Sequence, residues 1–144
     1  MRIVVLVGLP GSGKSTYLER MGVWGLSSDM VRGLLADDET DQSIHERVFQ
    51  TLRYLLRQRL AIGRPVTYID ATNLRREDRR PFLEIGDQFG CDVEAVWFDV
   101  PLEVCRERNA ARHRVVPDEA LVTMAGKMVA PTVEEGFTKV EVVG

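Results

Sequence analysis

Short apolar runs alternate along the chain with longer stretches in which apolar residues recur every three or four positions. Ile3-Val4-Val5-Leu6-Val7 is continuous and rich in β-branched residues, the signature of a strand buried on both faces. Val23-Trp24-Gly25-Leu26-Ser27-Ser28 predicts a weaker second strand, Val66 to Asp70 a third and Val93 to Asp99 a fourth. Lys139 to Val143 alternates weakly and predicts a last one. Between them the period changes. A helix begins near Lys14, runs to Met21 and stops at Gly22, and a short one covers Met30 to Ala36. Ser43-Ile44-His45-Glu46 has the form of a capping box, with Ser43 as N-cap. The helix after it places Ile44, Val48, Leu52, Leu55 and Leu56 on one face and Arg47, Arg53, Arg57 and Arg59 on a solvated one, until Gly63 and Pro65 end it. Further helices are predicted from about Arg75 to near Gly90, from Pro101 at a first helical position to about Arg112, and from Pro117 with Leu121, Met124, Ala125 and Met128 inward. Strands alternating with helices make an α/β protein, and right-handed crossovers limit it to a doubly wound parallel sheet.

The first strand runs straight into Gly8-Leu9-Pro10-Gly11-Ser12-Gly13-Lys14-Ser15-Thr16, which fits G-x-x-x-x-G-K-[ST]. Glycines at 8, 11 and 13 allow successive N–H groups to turn inward, and the helix opening near Lys14 adds its positive end. Gly8, Pro10, Gly11, Ser12, Gly13, Lys14, Ser15 and Thr16 are therefore the expected contacts to ATP or another nucleoside triphosphate. Lys14 is expected at the β- and γ-phosphates, and Ser15 on Mg²⁺ through its hydroxyl. Asp70, closing the third strand, stands where a second acidic group near Mg²⁺ is expected.

Composition narrows the class without changing it. A length of 144 residues fits one domain, and no apolar run is long enough to span a membrane. The first strand starts at residue 3 without a basic leader before it, and Cys91 and Cys105 lack metal or redox spacing. No secretory signal and a cytoplasmic location are expected. The net charge of −3 argues against bulk electrostatic binding of nucleic acid. Yet 16 of the 19 basic residues are Arg, the side chain suited to planar phosphate recognition, so individual placements decide. Asp37-Asp38-Glu39-Thr40-Asp41 reads as a solvated acidic loop.

In an open parallel sheet, ligands bind beyond the carboxyl ends of the strands. Those ends carry Ser15, Asp29, Arg32, Asp70, Asn73 and Asp99, with the Arg-rich segment after the fourth strand able to fold over them. Phosphoryl transfer needs a phosphate cradle, charge neutralisation, a positioned acceptor and a proton acceptor. Asp29 is the candidate base, since no His or Glu competes for that strand end. Arg32 lies one helical turn on and is suited to an anionic acceptor. Arg108 and Arg112, four apart on a helix, are placed to bracket the phosphates, and Arg108 is also counted among the nucleotide contacts. His113 is given no role.

Four stretches carry a family likeness: the loop from Gly8 to Ser15, Ser28-Asp29-Met30-Val31-Arg32, Ile69-Asp70-Ala71-Thr72-Asn73-Leu74, and Phe98-Asp99-Val100-Pro101 continuing through Arg108-Asn109-Ala110-Ala111-Arg112. Together they resemble the P-loop 5′-kinase module of phage-type and bacterial polynucleotide kinases. The resemblance implies a three-layer P-loop NTPase fold with a small helical lid at roughly 106–117, within a single kinase domain over 1–144. The phosphatase or ligase domains often fused to such a module are not expected. It implies an ATP- and Mg²⁺-dependent transfer of the γ-phosphate to the 5′-hydroxyl end of DNA or RNA, in nucleic acid repair. Asp29 would be the general base, Arg32 would contact the neighbouring phosphate, and Arg108 and Arg112 would be lid arginines. Asp29, Arg32 and Asn73 would meet the substrate, and Ser15 and Asp70 the metal. A 5′-hydroxyl nucleic acid end is the expected partner, with no membrane and no obligate protein partner. Two other readings stay open: a small-molecule kinase of the same fold, acting on a sugar nucleotide, nucleoside or antibiotic, and a P-loop ATPase or nucleotide switch.

Overall fold

The computed structural model describes residues 1–112 and 115–144. Its strands are β1 (Arg2–Val7), β2 (Gly25–Ser27), β3 (Val66–Asp70), β4 (Asp92–Phe98) and β5 (Lys139–Val143). Its helices are α1 (Lys14–Met21), α2 (Ser28–Ala36), α3 (His45–Ala61), α4 (Arg76–Phe89), α5 (Leu102–Ala110) and α6 (Asp118–Lys127). The strands form one sheet in the order β2-β3-β1-β4-β5, and every pairing is parallel. β1 lies at the centre, with Val4 opposite both Tyr68 and Glu94. From β1 the chain goes first to one side (β2, β3) and then to the other (β4, β5), so the crevice of the topological switch opens beside the end of β1.

Side chains of a strand alternate between faces, and β1 uses both. Ile3, Val5 and Val7, with Ile69, Val93 and Ala95, pack under Leu52, Leu56 and Leu60 of α3 and Phe82, Leu83 and Ile85 of α4. Val4 and Leu6, with Tyr68, Val96 and Phe98, meet Leu18 of α1 on the other face. These are the three layers. A Cβ on Gly86 would stand 2.3 Å from Val93 Cγ2, so glycine there permits the close crossing of α4 over β4. A smaller cluster of Leu9, Leu74, Cys105 and Leu121 seats α5 and α6 above the carboxyl edge. Among the described residues no helix is long and apolar enough to cross a membrane.

Several local expectations are corrected. Ser43 does not cap α3. The Asp41 carboxylate accepts from the Ser43 N–H at 2.9 Å and from its hydroxyl, so residues 42–44 form a 3₁₀ turn and Ile44 becomes the N-cap. The inward stripe of α3 is Val48, Leu52, Leu56 and Leu60, each four residues apart, while Leu55 is exposed beside it. Arg59 leaves the solvated face: its Nε donates to Thr67 Oγ1 at 3.0 Å and its Nη2 to Val66 O at 2.8 Å. α2 begins at Ser28, so Asp29 sits in its first turn rather than in the strand end. Pro101 is the N-cap of α5, which stops at Ala110 and leaves Arg112 on the turn beyond.

Candidate active site

The loop between β1 and α1 owes its shape to glycines with positive φ, +80° at Gly11 and +104° at Gly13. Gly11 carries a second requirement: a Cβ there would stand 2.8 Å from Cys105 O, so α5 can approach only a bare backbone. Gly13 is the N-cap of α1, and no side chain takes the first N–H groups of that helix. They are left for an anion, reinforced by the helix dipole. The Gly8 N–H donates to Thr72 O at 3.0 Å, which fixes the loop to the turn after β3. Lys14 Nζ folds back onto Gly8 O and Leu9 O, at 2.8 and 2.9 Å. Enclosure lowers its pKa to about 8, against an opposing pull from Asp70. Phosphate oxygens would replace the two carbonyls and restore the charge.

The loop forms one wall of a cleft of about 760 Å³, ample for a nucleoside triphosphate. Pro10 to Thr16, Ser27 to Asp29, Asp70 to Thr72, Arg108 and Arg112 all line it. Arg108 Nη1 lies 3.4 Å from Gly11 O, and Arg112 enters from the turn after α5. The Asn109 side chain clamps Val116 on both sides, donating to its O at 2.6 Å and accepting from its N–H at 3.0 Å. Arg106 bridges to Asp118 through two contacts of 2.8 Å. These contacts join α5 to the start of α6 across the expected lid segment. His113 and Arg114 lie outside the described residues.

Opposite the loop, Ser27 caps α2 by accepting from the Met30 N–H, which sets Asp29 at the cleft wall. Arg32 is not on that wall. It is buried behind Asp29, with Nη1 3.1 Å from Asp29 Oδ1, and its Nε has no hydrogen-bond partner among the described residues. Asp70 is half-buried; desolvation raises its pKa and Lys14 partly offsets the rise. Ser15 is exposed on the first turn of α1. Among the described residues there is no cluster of three or more His, Cys, Asp or Glu side chains suited to a metal. One hydroxyl and one costly carboxylate fit Mg²⁺, which takes its remaining ligands from phosphates and water.

Asn73, expected at the substrate, is 3% exposed and absent from the cleft wall. With φ +49°, it turns its amide under the sheet edge and donates to Leu6 O at 2.7 Å. Asp99 is exposed and likewise absent from the wall. The turn around Asn73 is held by Arg79, a residue that sequence reading passes over. Arg79 is wholly buried, donates from Nη1 to Asn73 O, Leu74 O and Val129 O, and forks onto Glu135 at 2.9 and 3.0 Å. The signal was present: Arg79 stands three and four positions before Phe82 and Leu83, on the inward stripe of α4.

The sequence pattern of the AAA domain family matches residues 3–131. The chain belongs to that family. It is also 30% identical, over 96% of its length, to the bifunctional polynucleotide phosphatase/kinase of Schizosaccharomyces pombe. It is 23% identical over 90% of its length to the L-seryl-tRNA(Sec) kinase of Methanococcus maripaludis. The chain spans 32% of the first relative and 53% of the second. Among solved structures, a chain of the Pnkp1/Rnl/Hen1 RNA repair complex superposes with a TM-score of 0.74 at 23% identity, over 88% of this chain and 43% of that one. A gluconokinase of Sinorhizobium meliloti superposes at 0.60 and 20% identity, over 97% and 80%. The fold of this family member is thus that of the P-loop kinases.

Proposed function

We propose that the chain transfers the γ-phosphate of ATP to the 5′-hydroxyl of a polynucleotide. The observation that carries this reading is Asp29 on the cleft wall across from the phosphate loop, backed by a buried arginine whose Nε is unused among the described residues. Hydrolysis by water needs no grip on an acceptor phosphate. A buried, half-satisfied guanidinium is costly unless an anion completes it. Arg32 holds Asp29 in place from behind, and its Nε, closed off from the cleft here, would have to open toward it to meet the phosphate 3′ to the accepting hydroxyl, while Asp29 accepts the hydroxyl proton. Lys14, the loop N–H groups, Arg108 and Arg112 hold the triphosphate and meet the charge that develops during transfer. Mg²⁺, held by Ser15 and Asp70, would supply further neutralisation of the β- and γ-phosphates. The free thiols Cys91 and Cys105 favour a cytoplasmic setting.

A small-molecule acceptor is the second reading. The net charge of −3 and the superposition on a gluconokinase favour it. Incubation with labelled ATP and 5′-hydroxyl oligonucleotides, beside nucleosides and sugars, separates the two. Label on the oligonucleotides alone supports the first reading; label on sugars or nucleosides alone rejects it.

A further inference from the structure

A second groove lies beside the start of α4, lined by Arg75, Arg76, Glu77, Arg80, Lys127 and Val129, with a volume of about 430 Å³. Arg75 is already engaged by Glu77 and Asp78, each at 3.1 Å. Arg76, Arg80 and Lys127 make no ion pair among the described residues. In a chain of net charge −3, this is a local excess of unpaired positive charge.

Glu77 and Glu84, three residues before and four after Arg80, offset part of its charge, but helix electrostatics do not account for Arg76. Arg76 occupies the first turn of α4, where the helix end is itself positive. Arg80 follows four residues later, so the like charges share one face and repel. A bound polyanion would offset both terms. The groove is also built on a fixed floor. Val129 O accepts from the buried Arg79 at 2.8 Å, and the Val129 N–H donates to Leu74 O at 2.9 Å, so one wall is tied to the other. The backbone of the groove is thus preformed, and binding would order only its exposed side chains. The groove opens at the same edge of the sheet as the cleft. Only four peptide units separate Arg76 from Thr72 on the cleft wall, a span of at most about 14 Å.

Building on the proposed function, we propose that Arg76, Arg80 and Lys127 bind the sugar–phosphate backbone of the acceptor strand downstream of its 5′ end. Arg32 would then meet the first phosphate and the groove a later one. The reading predicts a kinase that favours strands long enough to reach both.

The test compares wild type with the double variant Arg76→Glu/Arg80→Glu and with Lys127→Ala. Both positions are exposed, so the double variant should melt within a few degrees of wild type, and Arg76→Gln/Arg80→Gln takes its place if the added like charges lower it further. Two acceptors are used, a 3′-phosphorylated mononucleoside and a 5′-hydroxyl oligonucleotide of about twelve residues. Equilibrium binding of the fluorescent oligonucleotide is followed against salt without ATP. Expected for the double variant is a loss of about tenfold or more in oligonucleotide kcat/KM, with the mononucleotide changed less than about twofold, and a log–log salt slope shallower by about 0.7 per lost contact. Lys127→Ala should show a smaller loss in the same direction. Wild-type values for the double variant in both binding and kcat/KM, or an equal loss on the two acceptors, overturn the proposal. If wild type phosphorylates no nucleotide acceptor, the proposed function fails, and binding alone decides the groove. Tight binding lost in the double variant then upholds it as a nucleic-acid surface, and unchanged or absent binding rejects it.

Discussion

The two halves of the cleft are built by opposite means. The donor half is backbone: a six-residue loop whose glycines turn N–H groups inward, backed by a helix start that its N-cap glycine leaves open. Its chemistry is contiguous in sequence and nearly independent of side-chain packing. The acceptor half is assembled from side chains. Asp29 comes from α2, Asp70 from β3, and the turn that supports them is held by Asn73, Arg79 and Glu135. A single substitution can therefore silence the donor half without loosening the fold, whereas the acceptor half fails when its scaffold moves.

The sharpest break on the donor side is Lys14→Ala. Loss of its charge at the β- and γ-phosphates should lower kcat/KM by on the order of a thousandfold, with an unchanged melting temperature, since Lys14 bonds only to loop carbonyls. Near-normal turnover would detach the loop from the reaction.

On the acceptor side the corresponding break is structural. Arg79→Met leaves the buried Glu135 carboxylate with the Thr132 N–H alone and takes a donor from three carbonyls, of which Leu74 O keeps the Val129 N–H, so unfolding in urea should show a loss of about 3–5 kcal/mol. Adding Glu135→Met removes the stranded charge and should recover much of that loss. If the single variant is as stable as wild type, the turn is not held as described.

A third variant sharpens the boundary between the halves. Arg112 lines the cleft from a turn clamped at its base by Asn109 and Val116. If it acts on charge that develops during transfer, Arg112→Ala should slow single turnover by about a hundredfold while ATP binding changes little. A change in ATP affinity alone would place Arg112 with ground-state binding.

This asymmetry also explains what could be read from the sequence. The loop from Gly8 to Thr16 is a local pattern, and β1, β3 and β4, as apolar runs, and β5, as a weak alternation, lie close to where the pattern puts them. Asp29 and Asp70 were found because strand ends of a parallel sheet converge on one edge. Arg32 and Asn73 were picked out by position, but whether they face the cleft or support it depends on packing over tens of residues. Arg79 was hidden for the same reason: a charge run at 75–80 looks solvated until one knows that the segment from Val129 to Glu135 covers it. The capping box at Ser43 failed through local competition, because Asp41 stands two residues earlier and accepts from the same N–H.

The acceptor is the central claim, and Arg32 tests it most directly. Wild type and Arg32→Ala are compared in kcat/KM on a nucleoside 3′-phosphate and on the same nucleoside without phosphate. Asp29→Asn, which keeps the shape and removes the charge, serves as the control expected to depress transfer to both. If Arg32 meets the phosphate beside the accepting hydroxyl, its loss should cost about 1.5–3 kcal/mol on the phosphorylated acceptor, or roughly ten- to over a hundredfold. The plain nucleoside should lose clearly less, only the part that comes from Asp29 losing the support of Arg32. An equal loss on both acceptors, or no wild-type activity on either, would contradict the polynucleotide reading and leave the small-molecule kinase in its place.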